Sequence, residues 1–468
     1  MNRLWQRINH RKTPQNYQRK DSHLIRSLTA KDLIALGIGT IVSTTIFTLP
    51  GIVAAKHSGP AVIISFLLAA IAAGFIAINY AEMASAMPFA GSAFTWINVL
   101  FGEFWGWLAG WALLAEYFMC LAFVSAGLSS NLRGLLASLG IKMPNVIANS
   151  VSNGGTIDII GTVSILIVAW LLSRGASKMT KVENPLVILK ILAILLFIIV
   201  GATALHFSNY IPFIPKHQSG TSFGGWQGIY TSVSTIFLSY VGFDAIAANS
   251  GEAKKPQKTM PLSIIGSLII GAILFMLVAF VLVGMFKYTD FNNNAEPVGW
   301  ALRHSGHVII AGIVQIIAVF GMFTALIGMT LAGSRLIYSF GRDGMLPKWL
   351  GKINRNHLPN RALWTLSIAG IIVGAILPFE FMAQLISAGS LIAFGFVAVG
   401  IFSLRKREGH DIAKPDFRVP GFPIVPIITV ICLLIVFGGL TASAKLYSLI
   451  WYVLGIGIYF GYGIYHAK

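Results

Sequence analysis

One lysine of this chain lies where a charge is costly to place. Lys190 sits in the middle of the apolar run ENPLVILKILAILLFIIVG, seven residues after Glu183, which is about 10 Å along a helix axis. A charged lysine at the centre of a membrane helix costs at least about 2.5–3.5 kcal/mol. Because burial disfavours the charged form of an amine, Lys190 is a candidate for taking up and releasing a proton. Snorkelling to the membrane surface is the alternative, although the side chain has far to reach.

Two carboxylic acids also fall inside apolar stretches. Glu116 is central in the stretch 103–129, and Asp244 comes near the end of the stretch 228–249. Ionisable residues at such depth face the interior of a helix bundle and usually have a partner or a function. Either acid could pair with Lys190 or with a neighbouring hydroxyl as a structural element, and the sequence leaves both alternatives open.

Two of the apolar stretches are interrupted at mid-depth by small and polar residues. The first interruption reads GIGTIVSTTIF over 37–47, and the second reads SYVGFD over 239–244. Unwinding a helix exposes backbone N–H and C=O groups, which a membrane tolerates only where they line a cavity or bind a ligand. Broken helices at corresponding places in two halves of a chain indicate a central binding site of a transporter. Close packing of helices on small residues is the alternative explanation.

The helices that carry these residues are long enough to cross a membrane. Of the 468 residues, 56% are hydrophobic and 11% are charged, whereas soluble domains have roughly 25% charged residues. A membrane span needs about 20 apolar residues, which predicts an all-α polytopic membrane protein with twelve spans. The predicted spans are 33–56, 61–86, 103–129, 156–173, 184–206, 228–249, 261–286, 306–332, 363–378, 382–404, 423–441 and 447–465.

The basic residues indicate the orientation of these spans. Most of the 34 Lys and Arg residues lie in the N-terminal segment and in every second connection. This positive-inside pattern places both termini in the cytoplasm, so the net charge of +18 is a topology signal and predicts no nucleic-acid partner. The chain divides into a cytoplasmic basic segment (1–32), one domain of twelve helices (33–465) and a cytoplasmic C-terminus (466–468).

The sequence argues against several other classes of protein. It contains no G-x-x-x-x-G-K-[ST] run for nucleotide binding and no H-E-x-x-H run for a metal. Cys120 and Cys432 both lie inside apolar runs and have neither zinc nor disulfide spacing. No filter loop or charged ring of an ion channel is evident. We therefore expect no enzyme, no cofactor and no metal site. A receptor or sensor built on a transporter scaffold is harder to exclude.

Three longer motifs carry a resemblance to a known family. They are residues 37–51, YVGFDAIAANSGEAKKPQKTMP (240–261) and GSRLIYSFGRDGMLP (333–347). With them the chain resembles the amino acid–polyamine–organocation (APC) transporter superfamily and, within it, the cationic amino acid transporter family. The segment TIVSTTIFTLPG (40–51) is similar to branched-chain amino acid permeases of lactic acid bacteria. The resemblance implies the leucine-transporter-like fold: two inverted five-helix repeats, helices 1–5 and 6–10, two accessory helices, and alternating access.

The resemblance also implies an amino acid site at the two interruptions. The substrate carboxylate would accept hydrogen bonds from the backbone N–H groups of Ser43, Thr44 and Thr45, at the N-terminus of a half-helix. The hydroxyls of Ser43 and Thr45 could instead cap the broken helix ends. The family has Gly-Thr-Gly at 43–45, so the side chain of the ligand is left open. The substrate ammonium would be held by backbone carbonyls freed at Ile41, Leu238, Ser239 and Val241.

A role in proton coupling is implied in the same way for Lys190 and Asp244, whereas Glu116 and the gating candidates follow from their positions in the chain. In the resembling family a lysine at the position of Lys190 takes the place of sodium in sodium-coupled relatives, near helices 1 and 8. Asp244 shares the proton-linked network, and Glu116 is a further candidate for proton coupling. Tyr240 and Phe243 flank the second interruption and could gate the site, although ordinary helix packing explains them equally well.

Together these features predict a secondary active transporter of the cell membrane that imports neutral, branched-chain amino acids by proton symport. The apolar surroundings of both interruptions favour an aliphatic side chain, and a buried unpaired ammonium would be penalised. The alternatives are transport of cationic or small neutral amino acids, amino acid exchange, or a transporter-like sensor. The expected partners are the amino acid, protons and membrane lipid.

Overall fold

The computed structural model describes residues 11–20, 26–138, 140–141, 143–151, 154–174, 176–292, 294, 296–354 and 358–467. Within these residues the only β-type pairings are two isolated bridges, Leu28 with Ala253 and Glu408 with Ile412. Of the two predicted terminal segments, residues 1–10, 21–25 and 468 lie outside the described residues. The described chain is therefore helical, as the sequence predicts.

The α-helices are numbered in chain order. Most are apolar and long, and a few short ones lie in connections. Their bounds are α1 Pro14–Lys20, α2 Ala30–Ile41, α3 Thr45–Val53, α4 Val62–Ala86, α5 Ala93–Phe101, α6 Glu103–Ser138, α7 Asn145–Ala148, α8 Ile159–Leu172, α9 Ala176–Ala202, α10 Gly225–Ile236, α11 Phe243–Ala248, α12 Pro256–Met285, α13 Pro297–His304, α14 Val308–Asp343, α15 Asn360–Ile376, α16 Phe379–Arg407, α17 Ile424–Gly438, α18 Ala442–Ile458 and α19 Ile464–His466.

The apolar helices match the predicted spans in position. Eight helical stretches of the described chain are long and apolar enough to cross a membrane, and α8, α15 and α17 are shorter apolar helices. The first stretch, Ala30–Ala86, contains the interrupted helix α2–α3 and the helix α4. Each predicted span overlaps an apolar helix. The prediction of an all-helical chain that can cross a membrane several times is confirmed.

Several helix ends differ from the prediction because hydropathy does not register buried polar residues. Helix α14 continues beyond the predicted end at 332 to Asp343, and α6 continues beyond 129 to Ser138. Arg335 lies in this extension of α14. Its side chain can be buried because its guanidinium pairs with the carboxylate of Glu252. Helices α5 and α13 were not predicted, because each is shorter than a membrane span.

The interrupted helices lie in the middle of the bundle. Helix α2 packs against α9, α11, α12 and α14, and α14 also packs against α6 and α9. Small residues allow this approach: a Cβ added to Gly321 of α14 would lie 2.6 Å from Cδ of Lys190 on α9. A larger residue at 321 would therefore displace the lysine, and the fold brings α2, α9 and α14 together at this point.

The two ends of the bundle are distinguished by their contacts. The face that carries the N-terminal helix, here called the N-terminal face, joins Tyr17 to Asp343 by a hydrogen bond of 2.9 Å and Leu28 to Ala253 by a bridge. The other end, here called the opposite face, includes the turn after α3, where the Gly224 amide donates to the carbonyl of His57.

Candidate functional site

The first interruption breaks the helix between Ile41 and Thr45. The Ser43 N–H donates to the Ile41 carbonyl at 2.9 Å, so neither of these two predicted contact groups is free in this conformation. The N–H groups of Thr44 and Thr45 have no backbone acceptor among the described residues. The N-terminus of α3 therefore presents two buried donors, where a helix dipole favours a negative charge.

The hydroxyls of this interruption do not cap the helix. Thr44 is the N-cap residue of α3, and within the described chain no side chain caps it. Ser43 Oγ and Thr45 Oγ1 lie 3.5 Å apart and contact each other, so the capping alternative is wrong for this conformation. The buried Thr44 Oγ1 has no hydrogen-bond partner among the described residues. A buried hydroxyl without a partner is costly, which suits a site that a ligand completes.

The second interruption lies between α10 and α11. A 3₁₀ turn covers Phe237–Tyr240, and Gly242 has φ +132°, a conformation that side chains with a Cβ rarely adopt. The Leu238 carbonyl accepts from the Val241 N–H at 3.2 Å. The carbonyls of Ser239 and Val241 accept no hydrogen bond from the described residues, and the buried Ser239 Oγ has no partner among them. Two of the four predicted carbonyls are therefore free.

The two interruptions contact each other. Thr40 Oγ1 donates to the Gly242 carbonyl at 3.0 Å. A Cβ added to Gly242 would lie 3.1 Å from the backbone nitrogen of Ile41. Free donors of one helix and free acceptors of another thus lie on adjoining segments. A small molecule with a carboxylate and an ammonium has the charges that this arrangement can satisfy.

Lys190 is fully buried and points into the bundle. Its Nζ donates to Thr324 Oγ1 at 2.9 Å, to the Gly39 carbonyl at 3.1 Å and to the Gly321 carbonyl at 3.4 Å. Snorkelling is therefore wrong, because the amine meets protein groups rather than the membrane surface. The contacts lie on α2, just before the first interruption, and on α14, which forms the eighth predicted span.

The sequence analysis missed a buried acid beside this lysine. Glu183 is buried, and a Cβ added to Gly39 would lie 3.3 Å from both Glu183 Oε1 and Thr324 Oγ1. The Lys190 amine interacts electrostatically with the Glu183 carboxylate. Two residues seven apart share one face of a helix, so the spacing of Glu183 and Lys190 was a signal that could have found the pair.

The two other buried acids form a second cluster. The Tyr117 hydroxyl donates to Asp244 Oδ2 at 2.5 Å, and the Ser390 hydroxyl donates to Glu116 Oε2 at 2.6 Å. The carboxyl groups of Glu116 and Asp244 also interact electrostatically with each other. Of the alternatives left open by the sequence, the structure shows hydroxyl partners, while the hydrogen bonds of Lys190 go elsewhere. Two buried carboxyl groups that interact repel each other when both are charged, which favours a proton on one of them.

The two aromatic residues predicted as gates are packed in this conformation. The Tyr240 hydroxyl donates to the Phe66 carbonyl at 2.9 Å, and its ring packs on Phe275. The Phe243 ring stacks on Phe394, with centroids 5.2 Å apart. Both side chains are fully buried, so each holds a half-helix against its neighbours here.

A family model described as "Amino acid permease" matches residues 28–464, which include both interruptions and both clusters. The chain belongs to the amino acid permease family. Its relatives include the Branched-chain amino acid permease BcaP of Lactococcus lactis subsp. cremoris, 56% identical over 96% of each chain. The Methylthioribose transporter of Bacillus subtilis is 36% identical over 96% of each chain. The vacuolar Cationic amino acid transporter 4 of Arabidopsis thaliana is 33% identical over 82% of this chain and 64% of its own.

As an amino acid permease, the chain is a multi-pass membrane protein that transports amino acids and is not an enzyme. The predicted family and transport function are confirmed, and the relatives include both of the kinds that the sequence analysis named. Among the described residues, no group of three or more His, Cys, Asp or Glu could hold a metal ion.

Proposed function

We propose that this permease imports branched-chain amino acids across the cytoplasmic membrane by proton symport with alternating access. The observation that carries the proposal is the contact between the two helix interruptions, where Thr40 bonds the Gly242 carbonyl beside unpartnered donors and acceptors. The branched-chain preference is supported by 56% identity to a relative named for those substrates. Cationic amino acids are the weaker candidate, since the relatives named for them are 33% identical or less.

We propose that the chain crosses the membrane twelve times as a single domain over 33–465. The two arms of Ala30–Ala86 count as separate crossings, and the three shorter apolar helices α8, α15 and α17 complete the set. Interruptions in the first and sixth crossings support two inverted five-helix repeats, followed by α17 and α18 as accessory helices. The distribution of Lys and Arg supports a cytoplasmic N-terminal face and a cytoplasmic location for the predicted terminal segments 1–32 and 466–468.

The proposed binding mode assigns the two charges of the substrate to the two interruptions. The carboxylate accepts from the N–H groups of Thr44 and Thr45, and the Ser43 N–H joins them if its bond to Ile41 opens. The ammonium donates to the carbonyls of Ser239 and Val241. The unpartnered hydroxyls of Thr44 and Ser239 complete the polar contacts.

The proposed substrate side chain is aliphatic because the residues beside the polar groups are. The buried neighbours Ile41, Val42, Ile46 and Leu238 offer an apolar wall. Burial of a leucine-sized side chain contributes about 1.5–3 kcal/mol. Tyr240 and Phe243 flank this wall and remain candidate gates, since any opening of the second interruption must move them.

We assign proton coupling to Lys190 and to the pair Glu116–Asp244. A protonated Lys190 ties the Gly39 carbonyl of α2 to Thr324 of α14. Loss of its proton removes a donor from those buried acceptors. The contact between α14 and helix α2, which ends at the first interruption, is thereby weakened. The acid pair acts on the second interrupted helix, because Asp244 lies in α11 just after the second interruption.

Uptake into proteoliposomes tests the proposal. We expect labelled leucine to accumulate when the outside is acidic, without sodium, and a protonophore to abolish the accumulation. Strict sodium dependence would contradict proton coupling. Flux only into vesicles preloaded with amino acid would indicate an exchanger, and leucine binding without flux would indicate a sensor.

The topology is tested separately. A small epitope fused to either terminus should be inaccessible to antibody on intact cells and accessible after permeabilisation. Labelling of intact cells at either terminus would overturn the proposed orientation.

A further inference from the structure

A cavity of about 240 Å³ lies at the opposite face, directly above the first interruption. Thr48 of its floor donates to the Thr44 carbonyl at 3.1 Å. Its wall includes Gly127, which packs so closely on Thr44 that an added Cβ would lie 2.9 Å from Thr44 Oγ1. The cavity therefore ends one helical turn from the buried hydroxyl that has no partner among the described residues.

One wall of the cavity carries a cation and an anion held in place by the same residue. The Ser129 hydroxyl donates to Asp158 Oδ1 at 2.6 Å, and the Ser129 carbonyl accepts from Arg133 Nε at 3.4 Å. Both charged side chains line the cavity. Neither forms an ion pair with another described residue. The two opposite charges thus contact the same residue, but they do not form an ion pair with each other.

The guanidinium of Arg133 keeps unused donors. Its Nη1 donates to Asn149 Oδ1 at 2.8 Å and its Nη2 donates to Ser130 Oγ at 3.2 Å. Each terminal nitrogen of an arginine has two N–H groups, so one on each remains after these contacts with described residues. Two N–H donors on one guanidinium can bind the two oxygens of a carboxylate. The existing contacts fix the plane of the guanidinium and lower the entropy lost when a ligand binds.

The remaining wall of the cavity is apolar. It includes Ile52 of α3, Leu377 before α16 and Met382 of α16. The volume of about 240 Å³ lies below the range of about 300–1,000 Å³ that is usual for drug-sized ligands. It therefore suits one small molecule. A carboxylate donor pair, a nearby carboxylate and an aliphatic wall together describe the partners of a zwitterionic amino acid with an apolar side chain.

We infer that this cavity is an outer subsite that binds the amino acid before it reaches the interrupted helices. The carboxylate of the amino acid bonds to Arg133, its ammonium faces Asp158, and its side chain lies against Ile52 and Met382. This inference rests on the proposed function in that the transported solute is taken to be an amino acid. The outer subsite would be a second binding site, and it gives a role to Arg133 and Asp158, two charged residues that are not part of the central site.

The substitution Arg133→Gln tests the subsite, because glutamine keeps an amide donor but loses the cation. We expect the KM for leucine to rise roughly tenfold or more, the range for a lost hydrogen bond to a charged group, with kcat unchanged. Arg133→Lys should recover part of the loss. The matched control is Lys216→Gln, which removes one exposed positive charge from the same face outside the cavity and should leave KM unchanged.

Counting bound leucine on the purified protein separates the subsite from a merely structural role of Arg133. Equilibrium dialysis should find two leucine molecules per wild-type chain and one per Arg133→Gln chain. Ile52→Trp places a larger side chain in the cavity and leaves Arg133 and its partner residues unchanged in sequence, so it should also reduce the count to one. One molecule per wild-type chain, or an unchanged KM in Arg133→Gln, would overturn the inference. Failure of the proposed function is distinct, since the wild type would then not transport leucine at all.

Discussion

Two buried clusters of charged residues flank the interrupted helices, and they are built in opposite ways. The amine of Lys190 donates to two carbonyls and a hydroxyl, which lie on α2 and α14. The carboxyl groups of Glu116 and Asp244 accept from Ser390 and Tyr117, and the two acids interact electrostatically with each other. The first cluster is satisfied by a full charge on one donor, whereas the two acids of the second cluster repel each other unless one carries a proton.

This difference indicates how a proton can act on each of the two interrupted helices. In the lysine cluster the proton connects the helix before the first interruption to α14. In the acid cluster the proton removes the repulsion between Glu116 of α6 and Asp244 of the half-helix after the second interruption. Removing the proton from the lysine cluster leaves a buried acceptor without a donor, which costs about 1–3 kcal/mol. Removing it from the acid cluster leaves two buried negative charges that repel each other. Protonation of each cluster thus stabilises the packing of the interrupted helix beside it.

The largest expected effect comes from removing the lysine. Lys190→Ala deletes the donor for three acceptors and the charge that answers a proton gradient. We expect accumulation of leucine driven by an acidic outside to be abolished, while leucine binding or exchange persists because the interruptions are intact. Lys287→Ala, an exposed lysine of the opposite face, is the control. Undiminished accumulation in the Lys190 variant would remove the lysine cluster from the coupling scheme.

The acid cluster should give a smaller effect because its hydrogen bonds can be imitated. In Glu116→Gln and Asp244→Asn the amide is uncharged, like a protonated acid, and its oxygen still accepts from the neighbouring hydroxyl, so the packing is retained. We expect uptake to fall roughly tenfold at most, which corresponds to about 1.4 kcal/mol, and its dependence on external pH to flatten. Initial rates of leucine uptake between pH 5 and pH 8 measure this. A steep pH dependence in both variants would assign the acids a structural role only.

A third prediction concerns the substrate side chain. Both acids of the second cluster accept from hydroxyls, and Glu183 lies beside Lys190. None of these three acids is therefore left to pair with a cationic side chain at the interruptions. We expect leucine, isoleucine and valine to compete for uptake at least tenfold better than arginine or lysine. A panel of competing amino acids at one concentration decides this, and arginine outcompeting leucine would refute it.

The sequence alone predicted those parts of the site whose residues lie close together along the chain. The interruption before Thr45 is visible as small and polar residues in an apolar run, and the lysine is visible as a charge at depth. The hydroxyl partners were not predictable, because Ser390 is 274 positions from Glu116 and Tyr117 is 127 positions from Asp244. Hydropathy carries no information on which helices become neighbours.

The smallest expected effect, at Thr45, tests whether side chains at the first interruption set the pocket. Thr45 is the first residue of α3 and is buried, and its hydroxyl contacts that of Ser43 at 3.5 Å. The resembling family has glycine there. Thr45→Gly removes the side chain but keeps the N–H group that we assign to the carboxylate, so binding of the common part of the substrate should persist.

We expect Thr45→Gly to change the ratio of the inhibition constants for alanine and leucine a few-fold, because the space beside the substrate side chain changes. Loss of helix stability is the competing cause, since glycine costs about 1 kcal/mol relative to alanine in a helix interior. That cost weakens every substrate equally, so it leaves the ratio unchanged. The conservative variant Thr45→Ser keeps the hydroxyl and serves as the control. Equal weakening of alanine and leucine in Thr45→Gly would therefore assign Thr45 to helix stability and leave selectivity to the apolar wall.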